Sequence, residues 1–180
     1  RSLERSTLSV VTEGGLIKKV YFPRLIIPIS ATFINLVDFG VGLLILVGMM
    51  AWYQLVPQWT VIFLPLLVAV ALLAALSVSL WLSALNVKYR DVASVVPLIT
   101  QLWMFASPVL YPASLVPEPV RWYYGLNPMA GVIEGFRWAL LGKAAPDWSM
   151  VSVSLAVVLV LLIGGVMFFR RVERTFADVI

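Results

Sequence analysis

Four long, predominantly apolar stretches, separated by more polar connectors, dominate the chain: about Ile29 to Tyr53, Val61 to Leu85, Val95 to Tyr111 and Met150 to Phe169. Roughly 20 apolar residues in a helix cross the ~30 Å hydrocarbon layer of a bilayer. The pattern therefore predicts four membrane-spanning helices. The third stretch is the shortest and is interrupted by Pro97 and Pro108. Proline inside a helix removes a hydrogen bond and bends it. This span is expected to be bent and to stop near Ser107 to Pro112, and Pro65 is expected to tilt the start of the second span.

Two further segments have helical periodicity without the length to span. Before the first span, Leu16, Ile17, Val20 and Tyr21 line one face of a short helix, Lys18 and Lys19 lie beside that face, and Pro23 stops it. The pattern fits an interfacial helix held at the headgroups, or a docking helix for a cytoplasmic partner. Between the third and fourth spans, residues 112–148 carry Pro112, Pro117 and Pro119, then Trp122-Tyr123-Tyr124. Asn127-Pro128 then pairs an N-cap with proline at the first helical position. Met129, Val132, Ile133, Phe136 and Leu140 follow at helical spacing, and Gly142 offers a C-terminal stop. A helix of about 14 residues is too short to span. With Glu134 and Arg137 at i, i+3, it is expected to dip into or lie on the outer leaflet.

Of the 180 residues, 62% are hydrophobic and 12% are charged, whereas soluble domains average about 25% charged. Lipid must be part of the solvent, and the fold class is an all-α polytopic membrane protein forming a single transmembrane domain. The absence of Cys and His excludes a thiolate nucleophile and a Cys/His zinc site, and removes the commonest general base. Nine carboxylates remain. No catalytic residue, metal ligand or cofactor is assigned to the chain. A membrane enzyme using Glu118, Glu134 or Asp147 is the competing class, although no spacing of these carboxylates favours it. No basic run is interleaved with aromatics, so no nucleic acid is expected.

Charge placement orients the chain. Arg1, Arg5, Lys18, Lys19 and Arg24 precede the first span, Lys88 and Arg90 lie between the second and third, and Arg170, Arg171 and Arg174 follow the fourth. The opposite side has only Arg121, Arg137 and Lys143. Cytoplasmic loops are enriched in Lys and Arg, so both ends are expected in the cytoplasm. No signal-peptide pattern opens the sequence, and an incomplete N-terminus is expected because it begins at Arg1.

Several residues invite functional readings. Asn35 and Asp38 lie within the first span. A carboxylate in hydrocarbon is expensive, so Asp38 is expected to face protein or water, as an interhelical or subunit contact or as a polar wall of a translocation path. Trp103, Phe105, Tyr111, Trp122, Tyr123, Tyr124 and Trp138 gather near the outer face, as an interfacial belt or as flat rings that stack on sugars. Asn86 to Asp91 forms a polar turn, either a topogenic loop or a second contact for a cytoplasmic partner. No Walker pattern is present, so an ATP-driven process needs a separate ATPase.

Four blocks resemble the ABC-2 type polysaccharide export permeases, whose cargoes include O-antigen, capsule and teichoic-acid chains. They are Leu16-Ile17-Lys18-Lys19-Val20-Tyr21-Phe22-Pro23-Arg24, Asn86 to Val92, Gln101 to Pro112, and Leu126-Asn127-Pro128 with Gly142. They stand in the family's order and cover most of the chain. The resemblance implies a homodimeric channel in the bacterial inner membrane, paired with two copies of a nucleotide-binding ATPase that holds ATP and Mg. It implies a lipid-linked polysaccharide as cargo. Leu16, Ile17, Lys18, Lys19, Val20, Tyr21, Phe22 and Arg24, with Lys88, Arg90 and Asp91, would couple to the ATPase. Asn35, Asp38, Trp103, Phe105, Tyr111 and Trp122 would line the path, and Asn127, Pro128, Glu134 and Arg137 would form the outer gate. Family members have six spans and a leading amphipathic helix, so this chain reads as their later two-thirds. An ABC-2 exporter of a drug or lipid is the alternative within the class, and a purely structural assembly subunit is a further one.

Overall fold

The computed structural model describes residues 2–12, 23–55, 58–89, 91–109, 111, 117–142 and 145–173. Among these the chain is helical, without strand. The helices are α1 (Ser2–Thr12), α2 (Ile26–Trp52), α3 (Leu64–Lys88), α4 (Val92–Ala106), α5 (Glu118–Tyr124), α6 (Ala130–Leu141) and α7 (Trp148–Glu173), with a 3₁₀ turn over Trp59–Phe63 leading into α3. The segment Glu13 to Phe22, which holds most of the expected coupling helix, and Arg90 lie outside the described residues.

Among the described residues, three helices are long and apolar enough to cross a membrane: α2 with 27 residues, the 3₁₀ turn plus α3 with 30, and α7 with 26. Helix α4, expected as a fourth span over Val95 to Tyr111, runs instead over the 15 residues Val92–Ala106. At 1.5 Å per residue that is about 22 Å, short of the ~30 Å hydrocarbon core. The ladder fails at Pro108, which has no N–H and disfavours α geometry in Ser107 before it. Ser107 N–H reaches Met104 O at 3.4 Å, and Val109 N–H turns back to Ser107 O at 2.7 Å. Pro65 falls in the first turn of α3, where a missing donor is tolerated.

The chain divides into two compact units, and the long helices contribute to both. The first comprises Arg1–Leu36, Leu73–Leu102 and Leu159–Ile180. Its core joins Val10, Ile27, Leu80, Ala84, Val87 and Phe169. Helix α1 was not expected from the polar sequence of its residues. It buries Ser6, Thr7, Ser9 and Val10, small side chains that permit close helix approach in a membrane. The Ser6 and Thr32 hydroxyls lie 3.1 Å apart. Trp81 Nε1–H donates to Leu161 O at 2.9 Å, and its ring stacks on Phe168 at 4.9 Å.

The second unit comprises Val37–Leu72 and Trp103–Val158. Here Thr60 Oγ1 donates to Ala139 O at 3.0 Å, and the rings of Phe63, Trp138 and Trp148 follow one another at 5.5 and 5.8 Å. Helix α6 lies so close to α7 that a Cβ on Gly131 would come 2.7 Å from Ser154 Cβ. Gly142 ends α6 with φ 59°, its N–H donating to Trp138 O at 3.1 Å. That left-handed conformation favours glycine.

Candidate functional site: an asparagine knot, an aromatic groove and an arginine clamp

Asn127 organises the second unit. Its Oδ1 accepts Trp103 Nε1–H at 2.9 Å and Met129 N–H at 3.0 Å. Its Nδ2 donates to Ser107 Oγ at 2.8 Å. The sequence places a helix N-cap at Asn127 with Pro128 as the first helical residue, but α6 begins only at Ala130 and has no side-chain cap; the bond from Met129 N–H instead closes a local turn on the Asn127 side chain. The other two fasten the end of α4 to the start of α6. Ser154 Oγ on α7 lies 3.0 Å from the carbonyls of Asn127 and Pro128, and Gly131 N–H donates to it at 3.2 Å. Three helices thus meet in one polar knot, as polar groups at membrane depth must find partners inside the protein.

Beside the knot, Trp103, Ala106, Tyr123, Tyr124 and Asn127 line an open groove of about 420 Å³. Trp122 stacks on Tyr123 with ring centroids 3.8 Å apart, and Tyr111 meets Tyr124 edge-on at 6.4 Å. Trp122 and Tyr123 are 45% and 54% exposed, so flat faces remain available to a ligand. Phe105 is also exposed, and of the aromatics expected along the path only Trp103 lines the groove, whereas Phe105, Tyr111 and Trp122 do not.

Arg137 clamps the turn after α4. It pairs with Glu134 one helical turn earlier and donates through Nη2 to Pro108 O at 3.0 Å, with Tyr111 O at 3.5 Å. A planar guanidinium holds a carboxylate and a carbonyl from separate nitrogens of one rigid fork, a fixed geometry that the single ammonium of a lysine does not provide. Nearby in sequence, Asp147 caps α7. Its Oδ1 accepts Ser149 N–H at 3.0 Å and Ser149 Oγ–H at 2.6 Å, and Arg121 Nη1 lies 3.8 Å from Oδ2. These contacts, the Ser149 hydroxyl foremost, hold the Asp147 carboxyl below the usual range.

In the first unit, buried Asn86 joins three helices: Nδ2 donates to Thr7 O at 3.0 Å, and Oδ1 accepts Ala93 N–H at 3.0 Å. The second bond satisfies an otherwise orphan donor in the first turn of α4. Arg24 Nη1–H donates to Glu173 O at 2.7 Å. Lys88 Nζ sits 5.2 Å from the Tyr89 ring centroid, and Asp91 is exposed just before α4. Leu16, Ile17, Lys18, Lys19, Val20, Tyr21 and Phe22 lie outside the described residues. Asn35 Nδ2 donates to Ala31 O of its own helix at 2.8 Å, and its buried Oδ1 has no partner among the described residues. Asp38 is exposed, with no hydrogen-bond or ion-pair partner among them.

The knot's Ser107 and Ser154 escaped the sequence reading. The one available signal was a hydroxyl inside an otherwise apolar stretch. Asn86 lies in the stretch Asn86 to Val92 that carries part of the family resemblance, but its inward orientation has no local signature.

The long apolar helices, with polar knots between them, define a helical, multi-pass membrane protein. Residues 3–141 match the profile of the ABC-2 type transporter family, and the chain belongs to that family. It is 34% identical over 166 residues to the O-antigen export system permease protein RfbA of Myxococcus xanthus, covering 91% of this chain and 64% of that relative. Two proteins of the same name from Klebsiella pneumoniae are 26% and 24% identical over 180 residues, covering 99% of this chain and 69% of each relative. The chain therefore spans about two-thirds of the length of these relatives.

Proposed function

We propose that this chain forms part of the transmembrane channel of an ATP-driven exporter that moves a lipid-linked polysaccharide of the O-antigen type across the bacterial inner membrane. The observation that carries the reading is the similarity, along nearly the whole chain, to proteins named as O-antigen export permeases. The aromatic groove supports it: sugars present apolar C–H faces, and exposed indole and phenol rings grip such faces while allowing sliding.

The channel is a homodimer served by two copies of a separate ATPase, which binds ATP and Mg. Both ends of this chain lie in the cytoplasm, as the Lys and Arg placement favours, with α4 and the residues that follow it completing the fourth crossing. ATP binding closes the ATPases and pushes the Leu16 to Arg24 segment, with Lys88, Arg90 and Asp91 as a second contact. The motion passes to α2 and α4 and widens a path at the dimer interface, while α6 with Glu134 and Arg137 helps to gate the exit. Asn35 and Asp38 supply polar wall to that path. The enzyme reading is weaker because Glu134 is engaged by Arg137 and Asp147 by the α7 cap.

Purification of the protein in mild detergent from its native host tests the class: a bound nucleotide-binding subunit with ATP turnover is expected. A chain that arrives without any ATPase overturns it. Trp122→Ala, at an exposed ring, is expected to slow polysaccharide export without loss of assembly; unchanged export removes the stacking argument.

A further inference from the structure

The second unit contains another cavity, built unlike the groove. It measures about 260 Å³, lies among α3, α6 and α7, and exposes no polar surface on its walls. Phe63, Trp138 and Trp148 line it where α3 and α7 begin, and Leu67, Val70, Leu155 and Val158 carry it inward along the two helices. At 1.5 Å per residue, Val158 lies about 15 Å along α7 from Trp148, roughly half of the ~30 Å hydrocarbon thickness. The cavity is therefore as deep as one leaflet, with tryptophans at the end where tryptophan favours the membrane–water interface.

Water is a poor occupant. An apolar cavity of about 150 Å³ stays dry and takes up benzene or xenon, and an empty one forfeits dispersion contacts along its walls. In a bilayer, the abundant guest is hydrocarbon. We propose that this cavity holds one acyl chain of a bilayer phospholipid, its ester end at the Trp138–Trp148 rings and its methyl end near Val158. The one-leaflet depth favours this occupant over a long polyprenyl carrier, which would overrun the space. The proposal rests on the membrane-spanning helices alone, so its failure leaves the export reading untouched.

The test uses the protein reconstituted in nanodiscs with a phospholipid bearing a diazirine near one acyl terminus. The sample is exchanged into detergent before irradiation, and labelled peptides are mapped by mass spectrometry. Label is expected to persist around Val70 and Val158 and to vanish from Leu44 on α2, which is 72% exposed. Leu155→Trp, which fills the cavity, is expected to lower the retained label several-fold. Val160→Trp, the same change at a position 70% exposed, is expected to leave it intact. Equal loss of label from cavity and surface overturns the proposal, as does an identical response to the two tryptophan variants. Displacement by free polyprenyl phosphate but not by unlabelled phospholipid overturns it too, naming the other lipid.

Discussion

The indole N–H of Trp103 donates to the side-chain oxygen of Asn127 at 2.9 Å, tying the end of α4 to the start of α6 between residues far apart in sequence. Asn127→Ala removes this acceptor, the bond accepted from Met129 N–H and the donation to Ser107 together. A loss of about 1–3 kcal/mol is expected, read as a lower melting temperature in detergent. Asn127→Asp keeps both accepted bonds and is expected to lose less; equal losses would mean that the accepted bonds contribute little.

Arg137 bridges Glu134 and Pro108 O. Arg137→Lys preserves the charge but not the fork, and is expected to slow export while the protein still assembles. A double-mutant cycle with Glu134→Gln is expected to give a coupling energy between about 0.5 and 3 kcal/mol. Additive effects would show that the pair contributes nothing as a unit.

The Asp147 cap makes stability depend on pH. Its folded carboxyl titrates below the ordinary range because Ser149 and Arg121 favour the charged form. A depressed folded value stabilises above the ordinary carboxylate value of about 3.9 and ceases to do so as pH falls through the folded value. Asp147→Ala is expected to destabilise by about 1 kcal/mol at pH 7. The gap from wild type should close only in acid below that ordinary value. A gap that is the same at pH 7 and in strong acid would assign the effect to packing.

Asn86 closes the first unit by reaching Thr7 and Ala93. Asn86→Ala orphans the Ala93 N–H and leaves a small void, with an expected loss of about 1–3 kcal/mol. If the coupling reading holds, ATP turnover by the co-purified ATPase should continue while export falls. Parallel loss of both activities would point to a folding defect instead.

Much of this architecture is legible locally. Continuous apolar runs mark α2, α3 and α7 because an unpaired backbone in lipid leaves the helix as the only economical conformation. Pro108 announces the end of α4, and Gly142 announces the end of α6, because each acts on its own backbone. Asn127 before Pro128 reads as a cap, yet α6 starts two residues after Pro128, at Ala130, because Asn127 closes a turn with Met129 before the helix begins.

The partners of those residues are not legible. No local pattern places Trp103 on Asn127, Arg137 on Pro108 O, or Asn86 against Thr7, residues separated by 24, 29 and 79 positions. Helix α1 is missed because its polar residues owe their burial to neighbours that its own periodicity does not contain. Asp38 is readable as a costly charge, yet only the packing shows it exposed rather than paired among the described residues. Partition into lipid and backbone hydrogen bonding are short-range, so the sequence alone determines the long apolar helices and where α4 and α6 stop. The side-chain hydrogen bonds and the two cavities depend on which helix faces lie against each other, and only the tertiary structure decides that.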